Sequence, residues 1–238
     1  MSFSVIVPAC NEEVCLQRTL EAIDAARALI LEEDVEVIVV DNASTDHTAA
    51  IAAAAGVRVV NEPIRNVSCA RNKGAACAAG EWLVFIDADT LVPELIFRRM
   101  RDALRDPECI GGAVDVLNSA NRLSVRLYLK AWQLIGAMAG MAQGAAQFCR
   151  REAFDSANGY DESLWMGEDV DFFWRLNKLA KQSHARVEVL RDIRVRPSAR
   201  RFDRWSVWKI LVRTNPLFIL LFGRRRAAWR GWYDELVR

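Results

Sequence analysis

The sequence predicts an α/β fold, a mainly parallel central sheet flanked by helices, with an amphipathic helical tail at its C-terminal end. Two observations carry this expectation. Short apolar runs alternate with helix-patterned segments from Phe3 to Ile86, the rhythm of βαβ units and a parallel sheet. The run Trp82-Leu83-Val84-Phe85-Ile86 is apolar without interruption, as a strand covered on both faces must be. A composition 52% hydrophobic and 26% charged supplies a full core and excludes global disorder.

Taken in order, the first strand is Phe3–Val7, closed by Pro8. Leu16, Leu20, Ile23 and Ile30 then fall on one face of a helix. Glu36–Val40 is a second strand ending at Asp41, and the helix Ala49–Ala55 after the polar loop Asn42–Asp46 is stopped by Gly56. Val57–Val60 is a third strand, and the Ala-rich Ser68–Ala79 is the helix that leads into Trp82–Ile86. Beyond Asp89 the rhythm changes. Glu94–Leu104 reads as a helix, Ile110–Leu117 as extended chain, Leu123–Met141 as a long apolar helix and Gln143–Phe148 as a strand. Glu168–Lys181 is a helix that buries Phe172, Phe173, Leu176 and Leu179, and Val187–Leu190 and Ile193–Val195 are short strands. In the tail, Trp205, Trp208, Leu211 and Val212 share a helical face, followed by Leu217–Phe222 and Arg224-Arg225-Arg226. That mixture suits an interfacial membrane element or, equally, a helix packed on the domain or in a dimer.

Net charge is only +1, but from Arg196 to Arg238 eleven Lys/Arg stand against three Asp/Glu, a net of +8 that leaves about −7 for the rest. The basic end suits an anionic surface or ligand. The six cysteines form no Cys-x-x-Cys and only two histidines are present, which argues against structural zinc and thioredoxin-like chemistry. Scattered apolar-flanked cysteines fit buried thiols in a reducing compartment. The N-terminal residues lack the basic and long apolar regions of a signal peptide, and no stretch reaches the roughly 18–20 apolar residues of a membrane span. The expected location is cytoplasmic, with peripheral contact to the inner face of the membrane left open.

The central strand ends in Asp87-Ala88-Asp89. In an open α/β sheet the ligand crevice lies outside the carboxyl ends of the strands, and alternation turns the two carboxylates the same way. Hard divalent cations take such oxygen ligands together with substrate phosphates. The alternative is helix capping by Asp89 or Thr90 ahead of Pro93. Asp41, at the end of the second strand, can accept from ribose hydroxyls or base N–H groups, or act as a loop hydrogen-bonder. Asn11 and Glu12 follow the first strand, where the backbone of Pro8–Cys10 can meet a base edge or Asn11 can cap a helix. Arg71 can neutralise a phosphate or pair with Asp87 or Asp89. Glu168, Asp169 and Asp171 open a helix, where carboxylates are stabilised by the dipole, and one of them is a plausible general base. Ser198–Trp205 is a basic loop whose arginines suit a diphosphate or a solvated surface.

Together these blocks resemble the family 2 glycosyltransferases of GT-A fold. The resemblance is carried by Val5-Ile6-Val7-Pro8-Ala9-Cys10-Asn11-Glu12-Glu13, Val39-Val40-Asp41-Asn42-Ala43-Ser44-Thr45-Asp46, Ala70-Arg71-Asn72-Lys73-Gly74, Phe85-Ile86-Asp87-Ala88-Asp89, Gly159-Tyr160-Asp161-Glu162 and Gly167-Glu168-Asp169, in that order. It implies a Rossmann-like GT-A domain over residues 1–203, with a nucleotide-binding half at 1–90, an acceptor-binding half at 91–203, and a basic, Trp-rich tail at 204–238. It implies an inverting transferase that moves a sugar from a nucleotide-diphosphate donor to an acceptor hydroxyl. Pro8, Ala9, Asn11, Glu12 and Asp41 match nucleoside-holding positions, and Arg71 a donor-site arginine. Asp87, Ala88 and Asp89 match the metal and diphosphate motif, with Asp89 the ligand of Mn²⁺ or Mg²⁺. Asp169 matches the catalytic base, and Arg201 the late loop over the diphosphate. The segment Arg191–Pro197 lacks the histidine that many members use as a further metal ligand, so coordination would rest on Asp89, diphosphate and water. Arg204-Trp205 lacks the leading Gln of processive members, so processive synthesis is not expected.

In this reading Asp169 takes the acceptor proton, and the metal, with Arg201 or Arg71, neutralises the leaving diphosphate. The expected acceptor is lipid-linked or membrane-proximal, from the apolar helix and the Trp/Arg tail; no nucleic-acid partner is expected. The alternatives are a non-catalytic nucleotide-sugar-binding or membrane-associated partner subunit, which the full set of acids disfavours, and a metal-dependent nucleotidyl or phosphoryl transferase, which the missing Gly-rich phosphate loop disfavours.

Overall fold

The computed structural model describes residues 2–117, 120–138, 141–142 and 144–229, with the backbone alone at 137, 138, 201, 216, 217 and 220. The N-terminal half alternates β1 (Ser2–Ala9), α1 (Leu16–Arg27), β2 (Asp34–Asp41), α2 (Thr48–Ala54), β3 (Arg58–Asn61), α3 (Val67–Cys77) and β4 (Trp82–Ile86). There follow β5 (Thr90–Leu91), α4 (Ile96–Leu104), β6 (Cys109–Val116), α5 (Leu123–Met138), β7 (Ala146–Arg150), α6 (Arg151–Ser156), α7 (Glu168–Gln182), β8 (Arg186–Pro197), α8 (Arg200–Arg204), α9 (Val207–Arg213) and α10 (Pro216–Phe222).

The strands form one sheet in the order β3-β2-β1-β4-β7-β6-β8-β5. The β3-β2-β1-β4 half is parallel throughout. In the other half β7 runs antiparallel to both β4 and β6, β6 and β8 are parallel, and β5 is antiparallel to β8. Side chains alternate between two cores. Val5, Val7, Val84 and Ile86 meet α1 and α4 through Leu16, Leu20, Ile23, Phe97 and Met100. Ile6, Ile38, Leu83 and Phe85 meet α3, α6 and α7 through Ala70, Phe154, Phe172 and Leu176. Coverage on both faces is why β4 is apolar at every position, and each such side chain contributes roughly 1.5–3 kcal/mol of burial.

The chain goes from β1 to β2 on one side of β1 and returns from β3 to β4 on the other. This change of direction opens a crevice beyond the carboxyl ends of β1 and β4. It brings the segments after Ala9, Asp41 and Ile86 together.

Three local expectations are corrected. The two short strands near the C-terminal end are one strand, β8, and the pairing jumps from Val114↔Leu190 to Asp115↔Arg194. The intervening residues bulge out, which is what interrupts the apolar pattern. Neither Asp89 nor Thr90 caps a helix: Thr90 pairs with Pro197 in β5, and α4 begins after Leu95. Trp205 and Trp208 do not share a face. Ser206 caps a new helix by accepting the Lys209 N–H, so Trp205 lies buried before α9 while Trp208 is 77% exposed.

α5, α8 and α9 form a satellite cluster through Val125, Leu129, Trp205 and Ile210. Tyr128 and Thr214 hydrogen-bond at 2.7 Å, and Asn121 donates to both carboxylate oxygens of Asp203. The described part of the tail packs back on the loop before α7. The Trp165 N–H donates to the Gly223 carbonyl, Arg224 pairs with Asp161 at 2.9 Å, and Trp229 is buried. Trp232, expected to close the tail, lies outside the described residues. Among the described residues no helix is long and apolar enough to cross a membrane.

Candidate active site

The loop after β1 is knitted to the loop after β2. The backbone N–H groups of Asn11, Glu12 and Glu13 donate to Ser44, Thr48 and Asp46 in turn. The Asn11 side chain accepts from the Thr45 N–H at 2.8 Å, which Asn11 reaches at φ +57, a left-handed conformation that Asn tolerates better than most residues. Asp41 accepts from the Ser44 N–H, and the Ala9 carbonyl accepts from the Asn42 N–H. Arg65 reaches the Ala43 carbonyl. Pro8, Ala9, Asn11, Glu12 and Asp41 thus lie along one edge of the crevice.

At the end of β4 the two aspartates part company. Asp87 is gripped by Arg71, whose Nη2 donates to Oδ1 at 2.8 Å, while Nη1 donates to Glu168 Oε1, also at 2.8 Å. Arg71 is 2% exposed and stacks 5.0 Å from the centre of the Tyr160 ring. Of the two roles expected for it, pairing with Asp87 is what the structure shows. A guanidinium fork with a carboxylate on each prong is a strong, geometrically specific arrangement.

Asp169 lies beside this bridge in the first turn of α7. Gly167, at φ +80, starts the helix, a conformation in which a side chain is strained. One carboxylate oxygen of Asp169 accepts from the Gly144 N–H at 2.7 Å and the other from the Val170 N–H at 2.8 Å. Its carbonyl accepts from Gln147, whose other side-chain atom accepts from Tyr160. A methyl group at position 144 would fall 2.5 Å from Asp169 Oδ2, so glycine is required there for the amide to approach. Burial pushes the Glu168 carboxyl up to about 7 against the pull of Arg71, and burial raises Asp169 as well. Asp87, Glu168 and Asp169 around one guanidinium carry excess negative charge, which adds to the burial that raises the two carboxyls on α7.

Asp89 faces a different partner. Its carbonyl accepts from the Ser198 N–H, and its carboxylate lies 3.8 Å from Arg200, which also contacts Glu12. Ala88 between the two aspartates is buried, and its carbonyl accepts from Thr19. The side chain of Arg201, the arginine singled out from the sequence, lies outside the described residues. Arg200, its neighbour, is the arginine seen at the crevice. Gly144 and Gln147 were missed altogether. Cys10 and Cys15 belong to the same loops, but burial pushes both thiols up, so neither is a ready nucleophile.

Among the described residues no group of three or more His, Cys, Asp and Glu side chains could hold a metal by itself. Asp89 has a partly exposed carboxylate, 3.8 Å from Arg200. One or two carboxylates completed by phosphate oxygens and water are the usual donor set of Mg²⁺, so the residues fit an ion that arrives with a diphosphate.

The chain has relatives among known proteins. The chain is 33% identical over 104 residues to glucosyl-3-phosphoglycerate synthase of Mycobacterium tuberculosis, covering 40% of this chain and 31% of that protein. It is 28% identical over 189 residues to the uncharacterised glycosyltransferase EpsJ of Bacillus subtilis, covering 71% of this chain and 54% of that protein. The chain thus spans about a third to a half of the length of these relatives. The fold matches the mannosyltransferase PcManGT of Pyrobaculum calidifontis, crystallised with GDP-Man and Mn²⁺, at TM-score 0.70 and 21% identity over 96% of this chain and 64% of that one. It also matches glucosyl-3-phosphoglycerate synthase from M. tuberculosis with Mn²⁺ and UDP at TM-score 0.61 and 22% identity, over 94% of this chain and 79% of that one. S. aureus TarS bound to UDP-GlcNAc matches at 0.63 and 19%, over 82% and 58%. The family model described as Glycosyl transferase family 2 matches residues 4–156, taking in the strand-end carboxylates and the Arg71 helix, and the chain belongs to that family.

Proposed function

We propose that the chain catalyses inverting transfer of a sugar from a nucleoside diphosphate to an acceptor hydroxyl, with Asp169 as general base. The observation that carries this reading is the Arg71 bridge. It ties Asp87, at the donor end of β4, to the residue preceding Asp169, so the donor side and the base are fixed relative to one another before substrate arrives. The nucleotide-sugars held by structures of this fold, UDP-GlcNAc and GDP-Man among them, support a nucleotide-sugar donor.

In a single displacement the acceptor oxygen forms a bond to the anomeric carbon while its proton passes to the Asp169 carboxylate. The bond from that carbon to the diphosphate oxygen breaks, and the nucleoside diphosphate leaves with the electron pair. Two backbone N–H groups, one on each oxygen, hold the carboxylate and thereby orient it. Pro8, Ala9, Asn11, Glu12 and Asp41 receive the nucleoside. Arg200 and Arg201 flank the diphosphate, and Arg71 acts through Asp87. Asp89, with the diphosphate and water, would hold Mn²⁺ or Mg²⁺, which neutralises charge on the leaving group when bound. The acceptor we propose is a lipid-linked or membrane-proximal hydroxyl.

The test is thermal melting with nucleoside diphosphates and nucleotide-sugars, each with and without Mn²⁺ or Mg²⁺. A ligand that binds only the folded chain raises the melting temperature by mass action. One base is expected to give a metal-dependent shift that Asp89→Ala removes. Absence of any shift across the whole panel would overturn the donor-site reading.

A further inference from the structure

We propose that the outer face of α5, together with the exposed side of α9, docks on an anionic lipid bilayer. α5 is apolar on both faces. Val125 and Leu129 are buried against Trp205 and Ile210. On the opposite face Leu123, Leu127 and Leu134 are 59–66% exposed, and their spacings of four and seven place them in one stripe. α9 likewise buries Ile210 and turns Trp208 and Val212 outward. Large apolar side chains aligned at the surface of two adjoining helices mark an interaction surface rather than scattered exposure.

The charges on these helices decide the occupant. No Asp or Glu occurs between Asp115 and Glu152, or between Asp203 and Asp234. The exposed cations on α5 are Arg126 and Lys130, while on α9 Lys209 lies over the Trp205 ring and Arg213 reaches the Ala228 carbonyl. A second copy of the chain docked through this face would set cation against cation. An anionic membrane supplies apolar depth for the leucines, counter-charge for the Lys and Arg side chains, and the headgroup level that an exposed Trp favours. Since no described helix can cross a bilayer, the contact lies in the plane of the interface.

The docked face is tied to the crevice. At the start of α5 Asn121 holds Asp203 and Arg122 reaches the carbonyls of Phe202 and Trp205, all at the end of α8 or just after it. The other end of α8 is Arg200, beside Glu12 and Asp89. A chain seated this way brings its crevice to the membrane surface, where a lipid-linked hydroxyl would be found. The docking stands independently of the transfer chemistry.

The experiment is flotation of the full chain with phosphatidylcholine vesicles, with and without phosphatidylglycerol, beside a variant carrying Leu123→Glu, Leu127→Glu and Leu134→Glu. The native chain is expected to float with the anionic vesicles, less so at high salt, and the variant to partition at least about tenfold less. Its melting temperature and its nucleotide-induced shift are expected to stay unchanged, because the three side chains are exposed. This separates failure of docking from failure of the donor site. A native chain that stays at the bottom with anionic vesicles overturns the proposal, and the native chain alone suffices for that result. Equal flotation of the variant overturns it too. So does a native dimer that the variant dissociates, which would make the face an interface between copies.

Discussion

Asp169→Asn is expected to lower the turnover number by about 10²–10⁴-fold, the usual worth of a positioned general base, while donor binding survives. The amide keeps the shape of the carboxylate but has no basic oxygen for the acceptor proton. It also places an NH₂ against one of the two backbone donors, Gly144 or Val170, at a cost of about 1–3 kcal/mol in stability. Turnover at saturating donor, read beside the nucleotide-induced melting shift, distinguishes the outcomes. Loss of both together would mean that Asp169 supports the donor site or the fold.

The same cluster sets the pH dependence. A base must be ionised, and burial raises the Asp169 carboxyl, so the transfer rate is expected to rise with pH through a value above the ordinary carboxylate range. Stability runs the other way. The folded value of Glu168, about 7, lies above its ordinary 4.5. Its contribution is therefore fully present below 4.5 and is lost as pH rises through about 7. Melting temperature should fall across that window, and Glu168→Gln should flatten the fall. A rate that stays level as pH rises out of the ordinary carboxylate range would show that neither carboxyl carries the essential proton.

What could be read in advance follows from how information sits in the chain. β1, β2 and β4 are legible because burial on both faces demands unbroken apolar runs, and Asp41, Asp87 and Asp89 because a parallel sheet puts its crevice at strand ends. The first turn of α7 announces itself by three carboxylates in four residues. The partners of these residues leave no such trace. Arg71 meets Glu168 across 97 positions and Gly144 meets Asp169 across 25, distances over which no periodicity connects two residues. β5, of two residues, and α6, of six, are too short to show a period. That Arg200 reaches Glu12 across 188 positions depends on the local path of α8, which no periodicity encodes.

Arg71→Met is expected to destabilise the chain by about 2–3 kcal/mol. Removing one partner of a fully buried ion pair costs roughly 3–5 kcal/mol, because a charge is left uncompensated. The loss lies at or below the foot of that range here, since Asp87 is about a third exposed and Glu168 can take up a proton. That escape gives the loss a pH signature. At low pH the neutral Glu168 needs no counter-ion, so the destabilisation should shrink, and at pH above about 7 it should be largest. Replacing both partners, Arg71→Met with Glu168→Gln, should recover part of the stability, because the buried charge goes with its counter-charge. Arg71→Lys should not restore the native state, since an ammonium cannot span two carboxylates as the guanidinium fork does. A positioning role predicts that the turnover number falls with melting temperature while KM for the donor changes little. The opposite pattern, unchanged melting without ligand and a large rise in donor KM, would place the guanidinium on the diphosphate itself and remove the bridge from the mechanism.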